Sequence, residues 1–223
     1  MKNLLLRGAT LAVFLVASLA FAADYTLQIA QKPAPKETGD SIRGVLQPKA
    51  IQLMSGDQPA LELWLRQEIP LKSKVEPGKD ALAAIPETTL LGVVVLQGGF
   101  QDYKGNDIPA GTYTARLGLQ PQDGDHLGSA DFPYFAVLIP ANADKELGGM
   151  DKFKTMTKAS GKVTPSGHPA VLSLRPAAAA GKLPRLEEPV AEHSAIRVDV
   201  PGKPPEGEKS PIGFDLVYRG KGH

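Results

Sequence analysis

Residues 112–120 read TYTARLGLQ. Tyr113, Ala115, Leu117 and Leu119 fall on one side of an extended chain, with Thr114 and Arg116 opposite, because successive side chains of a strand alternate between faces. The same period of two recurs along the chain. It sets Tyr25, Leu27 and Ile29 against Thr26 and Gln28, and Leu61, Leu63 and Leu65 against Glu62, Trp64 and Arg66. Ile51 and Leu53 repeat it briefly, Ile196, Val198 and Val200 follow it, and Ile212, Phe214, Leu216 and Tyr218 close the chain with it. Two short runs, LLGVVVL at 90–96 and YFAVLI at 134–139, are apolar on both faces and read as covered central strands. AVLSL at 170–174 makes a ninth candidate. A Gly-Asn turn within 102–109 predicts that 90–100 and 112–120 form a long hairpin.

Nine strands must cover their apolar faces with one another. The expected fold is therefore an all-β antiparallel β-sandwich, immunoglobulin-like or transthyretin-like in form, with a partly closed β-barrel as the alternative. Helix is scarce. DKFKTMTKAS at 151–160 has an Asp cap, Phe153 and Met156 three apart, and Gly161 as a stop. A shorter turn starts at Asp80. Long Pro- and Gly-rich connections occupy 32–48, 70–87, 141–168, 176–194 and 201–211.

The first 22 residues predict export. Lys2 and Arg7 give a basic start, residues 9–21 are an apolar run, and Ala20-Phe21-Ala22 is a small-x-small cleavage pattern. The run is shorter than the ~20 residues a membrane-spanning helix needs. The chain thus divides into a signal peptide, 1–22, and a single β-sandwich domain, 23–223, with no transmembrane anchor expected. The 25 Lys and Arg, less the two in the leader, face 24 Asp and Glu, so the domain carries a charge of about −1. Such a balance offers nucleic acid no electrostatic footprint, and no nucleic-acid partner is expected. The absence of cysteine excludes disulfides, thiol nucleophiles and thiolate metal sites. Asn3, Asn106 and Asn142 lack the downstream hydroxyl of a glycosylation acceptor. Together these fit a bacterial periplasmic or secreted protein.

The loop 120–134, QPQDGDHLGSADFPY, holds Asp123, Asp125, His126 and Asp131 between two strong strands. Two carboxylates flanking a Gly suit a hard divalent cation, and adding His126 turns the preference to a transition metal. The same residues also suit a polar loop whose Asp side chains cap their own backbone. His168, on another loop, is the natural further ligand, so Asp123, Asp125, His126 and His168 form the candidate set for a divalent metal, the one cofactor class suggested. His193 and His223 read as surface residues. Trp64, on the polar face of its strand between Glu62 and Arg66, is a candidate surface aromatic for a ligand or partner, as is Asp131 on its loop; cover by a loop or by the 151–160 helix is the alternative for Trp64. Lys145, Lys152, Lys154 and Lys158 form a basic patch read as a solvated face.

The stretch 108–128, IPAGTYTARLGLQPQDGDHLG, together with Asp131-Phe132, resembles a pattern in uncharacterised exported bacterial β-sandwich proteins. There a Gly-x-Tyr-Thr-x-Arg strand precedes Gln-Pro-x-Asp-Gly-x-His-x-Gly. His168-Pro169-Ala170-Val171-Leu172 resembles a second shared piece. The likeness covers about a quarter of the domain and implies a place to look, with no known activity attached.

Signatures of common catalysts are missing: no Gly-x-Ser-x-Gly elbow, His-Glu-x-x-His pair or Ser-x-x-Lys is present. The expected function is a non-enzymatic exported protein that binds a small ligand, an ion or an envelope partner through 120–134. Two alternatives stand beside it. One is a metal-dependent enzyme using Asp123, Asp125, His126 and His168; the other is a structural or assembly protein of the cell envelope.

Overall fold

The computed structural model describes residues 25–76, 79–102, 104–121 and 131–220. Along the chain come β1 (Tyr25–Ala30), a single helical turn α1 (Asp40–Arg43), β2 (Ala50–Ser55), β3 (Gln58–Leu65) and the two-residue β4 (Ile69–Pro70). A 3-10 turn (Leu82–Ala84) leads to β5 (Leu90–Leu96), the short pair β6 (Phe100–Gln101) and β7 (Asp107–Ile108), and β8 (Gly111–Leu119). Then follow β9 (Tyr134–Pro140), α2 (Phe153–Ser160), β10 (Val171–Ala177), β11 (Arg185–Glu187), β12 (Ser194–Lys203) and β13 (Ser210–Arg219). Every strand expected from alternation is present.

Ten strands share one hydrogen-bonded path, β1-β2-β3-β5-β8-β9-β10-β13-β12-β11, with every neighbour antiparallel. β4 adds to β12 in parallel, pairing Ile69 with Gly202. The fold is thus mostly β: a curled open sheet with one short helix. Sheets of this length curl because each strand twists on its neighbour. Here the curl brings the two ends of the path together. Cα atoms of β1 lie within 8 Å of β11, and the Tyr25 ring meets Tyr218 edge-on at 5.6 Å between centroids. Each edge strand therefore lies near the other, which limits the open backbone that an edge presents.

The inner face carries the residues that alternation predicted. Leu53, Leu61, Leu63, Leu117, Leu138, Leu174, Val198 and Phe214 are all buried in one cluster. At ~1.5–3 kcal/mol for each large apolar side chain removed from water, this interior supplies most of the folding drive. Both ends of the curl are closed by loops. Leu71, Leu82 and Ile85 from the β4–β5 connection enter the core at the end where β8 meets β9. Phe100 and Ile108, from the small β6–β7 hairpin, enter it at the opposite end.

Two patches of the outer face are covered as well. Residues 34–46 lay Ala34, Ile42 and Leu46 over Trp64, Leu90 and Val93. Helix α2 lays Met156 over Phe135, Val137 and Val171 on β9 and β10. This helix departs from expectation at its start. Lys152 takes the cap position in extended geometry and no side chain caps the helix, so Asp151 does not serve as the cap. Docking of Met156, fully buried, supplies what the cap does not.

Between those patches, Thr114 and Arg116 point outward from β8 and are buried under the 141–150 loop. Arg116 makes a fork to Asp144, with Nε donating to Oδ2 at 2.7 Å and Nη2 to Oδ1 at 2.9 Å. Its remaining donors go to the Thr88, Glu146 and Leu147 carbonyls. The Thr114 hydroxyl donates to the same carboxylate at 2.6 Å. A buried ion pair with every donor placed ties the loop to the sheet.

Candidate functional site

The strand ends sort the loops into two groups. At one end lie the two ends of the β8–β9 loop, the last residues of β10, the first residues of β13 and the β4–β5 connection. At the other lie the start of β1, the β6–β7 hairpin, the start of β10 and the end of β13. Each end carries an open cleft.

The first cleft, about 670 Å³, is lined by Phe132, near the described end of the 120–134 loop. Val75, Asp80, Phe132, Pro176, Ala178 and Pro211 line it, with Glu76 and Lys79 on the rim. Three of the Pro- and Gly-rich loops converge to make it. Gly213 allows the convergence: a Cβ there would stand 2.5 Å from the Ala177 carbonyl oxygen, so only glycine lets residues 177–179 lie against β13. Arg175, projecting outward from β10, fixes the lip. Its Nη1 donates to Asp131 Oδ2 at 2.7 Å, and its guanidinium lies 5.0 Å from the centre of the Phe132 ring. Asp80, in the cleft lining, is fixed from within. Tyr134 donates its hydroxyl to Asp80 Oδ2 at 2.6 Å, while Asp80 Oδ1 accepts the Leu82 amide at the start of the 3-10 turn. Burial, and then the Asp80 carboxylate, push the Tyr134 hydroxyl well above the ordinary tyrosine range.

Arg175 also begins a row of alternating charge on the outer face. It stands opposite Asp215, which stands opposite Arg197, and Arg197 forks to Asp215 through Nε at 2.6 Å and Nη2 at 2.8 Å. Glu187 on β11 closes the row, accepting from Arg197 at 3.1 Å and from Arg185 at 2.5 Å. These charges are committed to one another across strands.

The second cleft, about 540 Å³, lies at the seam where the curl nearly closes. Tyr25, Phe100 and Tyr218 give it an aromatic side, with Gln101, Asp107 and His193 on its polar side. The Arg219 guanidinium lies 5.7 Å from the Tyr25 ring centre.

The residues singled out in the sequence distribute as follows. Asp123, Asp125 and His126 lie outside the described residues, as does His223. His168 is described, with Nδ1 2.9 Å from the Pro169 carbonyl oxygen. It precedes β10 at the end of β9 remote from Tyr134, because Ala170 receives the Leu138 amide. The length of β9, seven residues or ~20 Å of extended chain, therefore separates it from the ends of the 120–134 loop. Among the described residues no three of His, Asp and Glu group in metal-binding geometry. Asp131 is exposed and paired with Arg175 at the first cleft.

Trp64 is not a surface aromatic. It is 1% exposed, its indole N–H donates to the Lys32 carbonyl at 2.9 Å, and the Lys32 ammonium lies 5.4 Å from the ring centre. Residues 30–46 cover it, so a strand face that carries Glu62 and Arg66 is still a packed face at Trp64. His193, read as a surface residue, is half-buried and lines the seam cleft. Sequence reasoning missed both clefts. The loops that build the first were legible as Pro- and Gly-rich segments, yet nothing in their composition says that they meet.

No protein-family model matches the chain, and no curated protein or solved structure is significantly similar to it. No helix among the described residues is long and apolar enough to cross a membrane.

Proposed function

We propose that this chain is an exported, non-enzymatic binding protein that takes its ligand or envelope partner at the cleft beside the 120–134 loop. The observation that carries the reading is the Arg175 clamp. It holds Asp131 and Phe132, the described end of that loop, at the lip of an open cleft whose lining is largely Val, Phe, Pro and Ala. An apolar lining with a few placed charges is what a small-molecule or peptide site requires. The polar atoms of Asp80 and Tyr134, a pair of types used in acid–base chemistry, are engaged with each other and with the 3-10 turn, which favours binding over catalysis. Export rests on the leader pattern of residues 1–22. At the finer level of architecture we read a partly closed barrel in preference to a sandwich; the contact of Tyr25 with Tyr218 across the seam supports it.

The test is a fluorescence titration of residues 23–223 with 8-anilinonaphthalene-1-sulfonate, an anionic apolar probe suited to Lys79 and Phe132. Saturable one-to-one binding that weakens at least ten-fold in Phe132→Asp is expected. Saturable binding that Phe132→Asp leaves unchanged would move the site elsewhere and overturn the assignment.

A further inference from the structure

The near-neutral charge of the whole chain conceals a strong local imbalance. Residues 152–186 contain Lys152, Lys154, Lys158, Lys162, Arg175, Lys182 and Arg185 and not one Asp or Glu. Arg175 and Arg185 are committed to Asp131 and Glu187. The lysines on and beside α2 are not so committed. Lys152, Lys154, Lys158 and Lys162 are all exposed, and no carboxylate of a described residue lies within 4 Å of their ammonium groups.

Their arrangement follows from helix geometry. Phe153 and Met156 turn toward β9 and β10, and Met156 is fully buried. At 100° per residue, Lys154 and Lys158 fall on the side opposite Met156, and Lys162 continues the line past the Gly161 cap. Lys154 and Lys158 stand one turn apart, ~6 Å along the axis, and Lys162 follows beyond the helix end, so three exposed lysines edge this face. Glu146 and Asp151 are the nearest acids in sequence, and Glu146 accepts a hydrogen bond from Ser41 on α1. Lys162 borders an open cleft of about 370 Å³ that Glu37 also lines, whereas Lys154 and Lys158 stand on the raised outer side of the helix. This face fits an extended plane of negative charge.

We propose that the α2 face docks this protein on the anionic phospholipid surface of a membrane, through Lys154, Lys158 and Lys162. Charge complementarity selects the occupant: each basic residue near an anionic bilayer adds attraction that decays within a Debye length, about 10 Å at 0.1 M salt, so three adjacent charges act together. Phe153 is engaged with the sheet, so the contact is electrostatic and without insertion. The surface lies on the outside of β9 and β10, away from the proposed cleft, and the two assignments fail or stand separately.

Sedimentation of residues 23–223 with vesicles tests it. Vesicles of phosphatidylglycerol and phosphatidylcholine in equal parts are compared with pure phosphatidylcholine at 20 and 300 mM NaCl. Partition into the anionic vesicles is expected to exceed the neutral ones at least ten-fold at low salt and to vanish at high salt. Lys154→Gln/Lys158→Gln/Lys162→Gln should lose that preference. Lys49→Gln/Lys72→Gln/Lys74→Gln, an exposed set removing the same charge elsewhere, should retain it. Circular dichroism of both variants confirms folding. Equal partition into the two vesicles, equal loss in both variants, or tighter binding to heparin than to anionic vesicles would overturn the lipid assignment.

Discussion

Replacing Asp144 with alanine removes the carboxylate that accepts two bonds from the Arg116 guanidinium and one from the Thr114 hydroxyl. Arg116 is 2% exposed and Asp144 1%, so water cannot take the place of the lost partner. The guanidinium keeps its carbonyl acceptors on Thr88 and Leu147, which orient it and do not neutralise it. Stranding one charge of a buried pair costs ~3–5 kcal/mol, and a chain of this size loses ~2–4 °C of melting temperature per kcal/mol. Asp144→Ala should therefore lower the midpoint by about 6–20 °C. Urea unfolding followed by far-ultraviolet circular dichroism gives the free energy directly. The double variant Arg116→Met/Asp144→Leu, which removes both charges and keeps the volume apolar, should recover most of the loss. A cost below about 1 kcal/mol for Asp144→Ala, the range of exposed pairs, would refute the view that this fork anchors the 141–150 loop.

Three further outcomes are expected. Met156→Ala empties a fully buried position between α2 and the sheet and should cost ~2–5 kcal/mol in the same urea assay. Burial raises the hydroxyls of Tyr113, Tyr134 and Tyr218 above their unfolded value near pH 10. Because the unfolded chain then releases these protons first, stability is intact below about pH 10 and falls as pH rises beyond it; Tyr134→Phe should make that fall shallower. Elemental analysis of the chain purified without tag or chelator should find no stoichiometric divalent metal; a metal lost in Asp125→Ala/His126→Ala would revive the enzyme reading.

Most of the main strands were legible because each buries one face, and burial writes itself into sequence as alternation; β5 and β9, covered on both faces, were legible as short apolar runs. Tyr113, Ala115 and Leu117 on β8 and Ile196, Val198 and Val200 on β12 all face the interior as read. The two- and three-residue strands β4, β6, β7 and β11 are too short to show a period. Trp64 stood between two readings, surface aromatic or loop-covered, for a different reason. Alternation assigned its face correctly, but the cover over it comes from residues 30–46, whose own pattern carries no period. Sequence likewise has no direction in space. The 120–134 loop leads into β9 and His168 into its neighbour β10, yet the antiparallel pairing sets the two entry points at opposite ends of β9. The cleft was hidden because it belongs to three loops at once, held together by Gly213, Arg175 and Asp80.

The account rests on the cleft beside the 120–134 loop, and backbone chemical-shift mapping of the ¹⁵N-labelled chain during titration with 8-anilinonaphthalene-1-sulfonate tests it most directly. The account predicts the largest shifts at Val75, Asp80, Phe132, Ala178 and Gly213. Largest shifts at Tyr25, Gln101 and His193 would place binding in the seam cleft and contradict it.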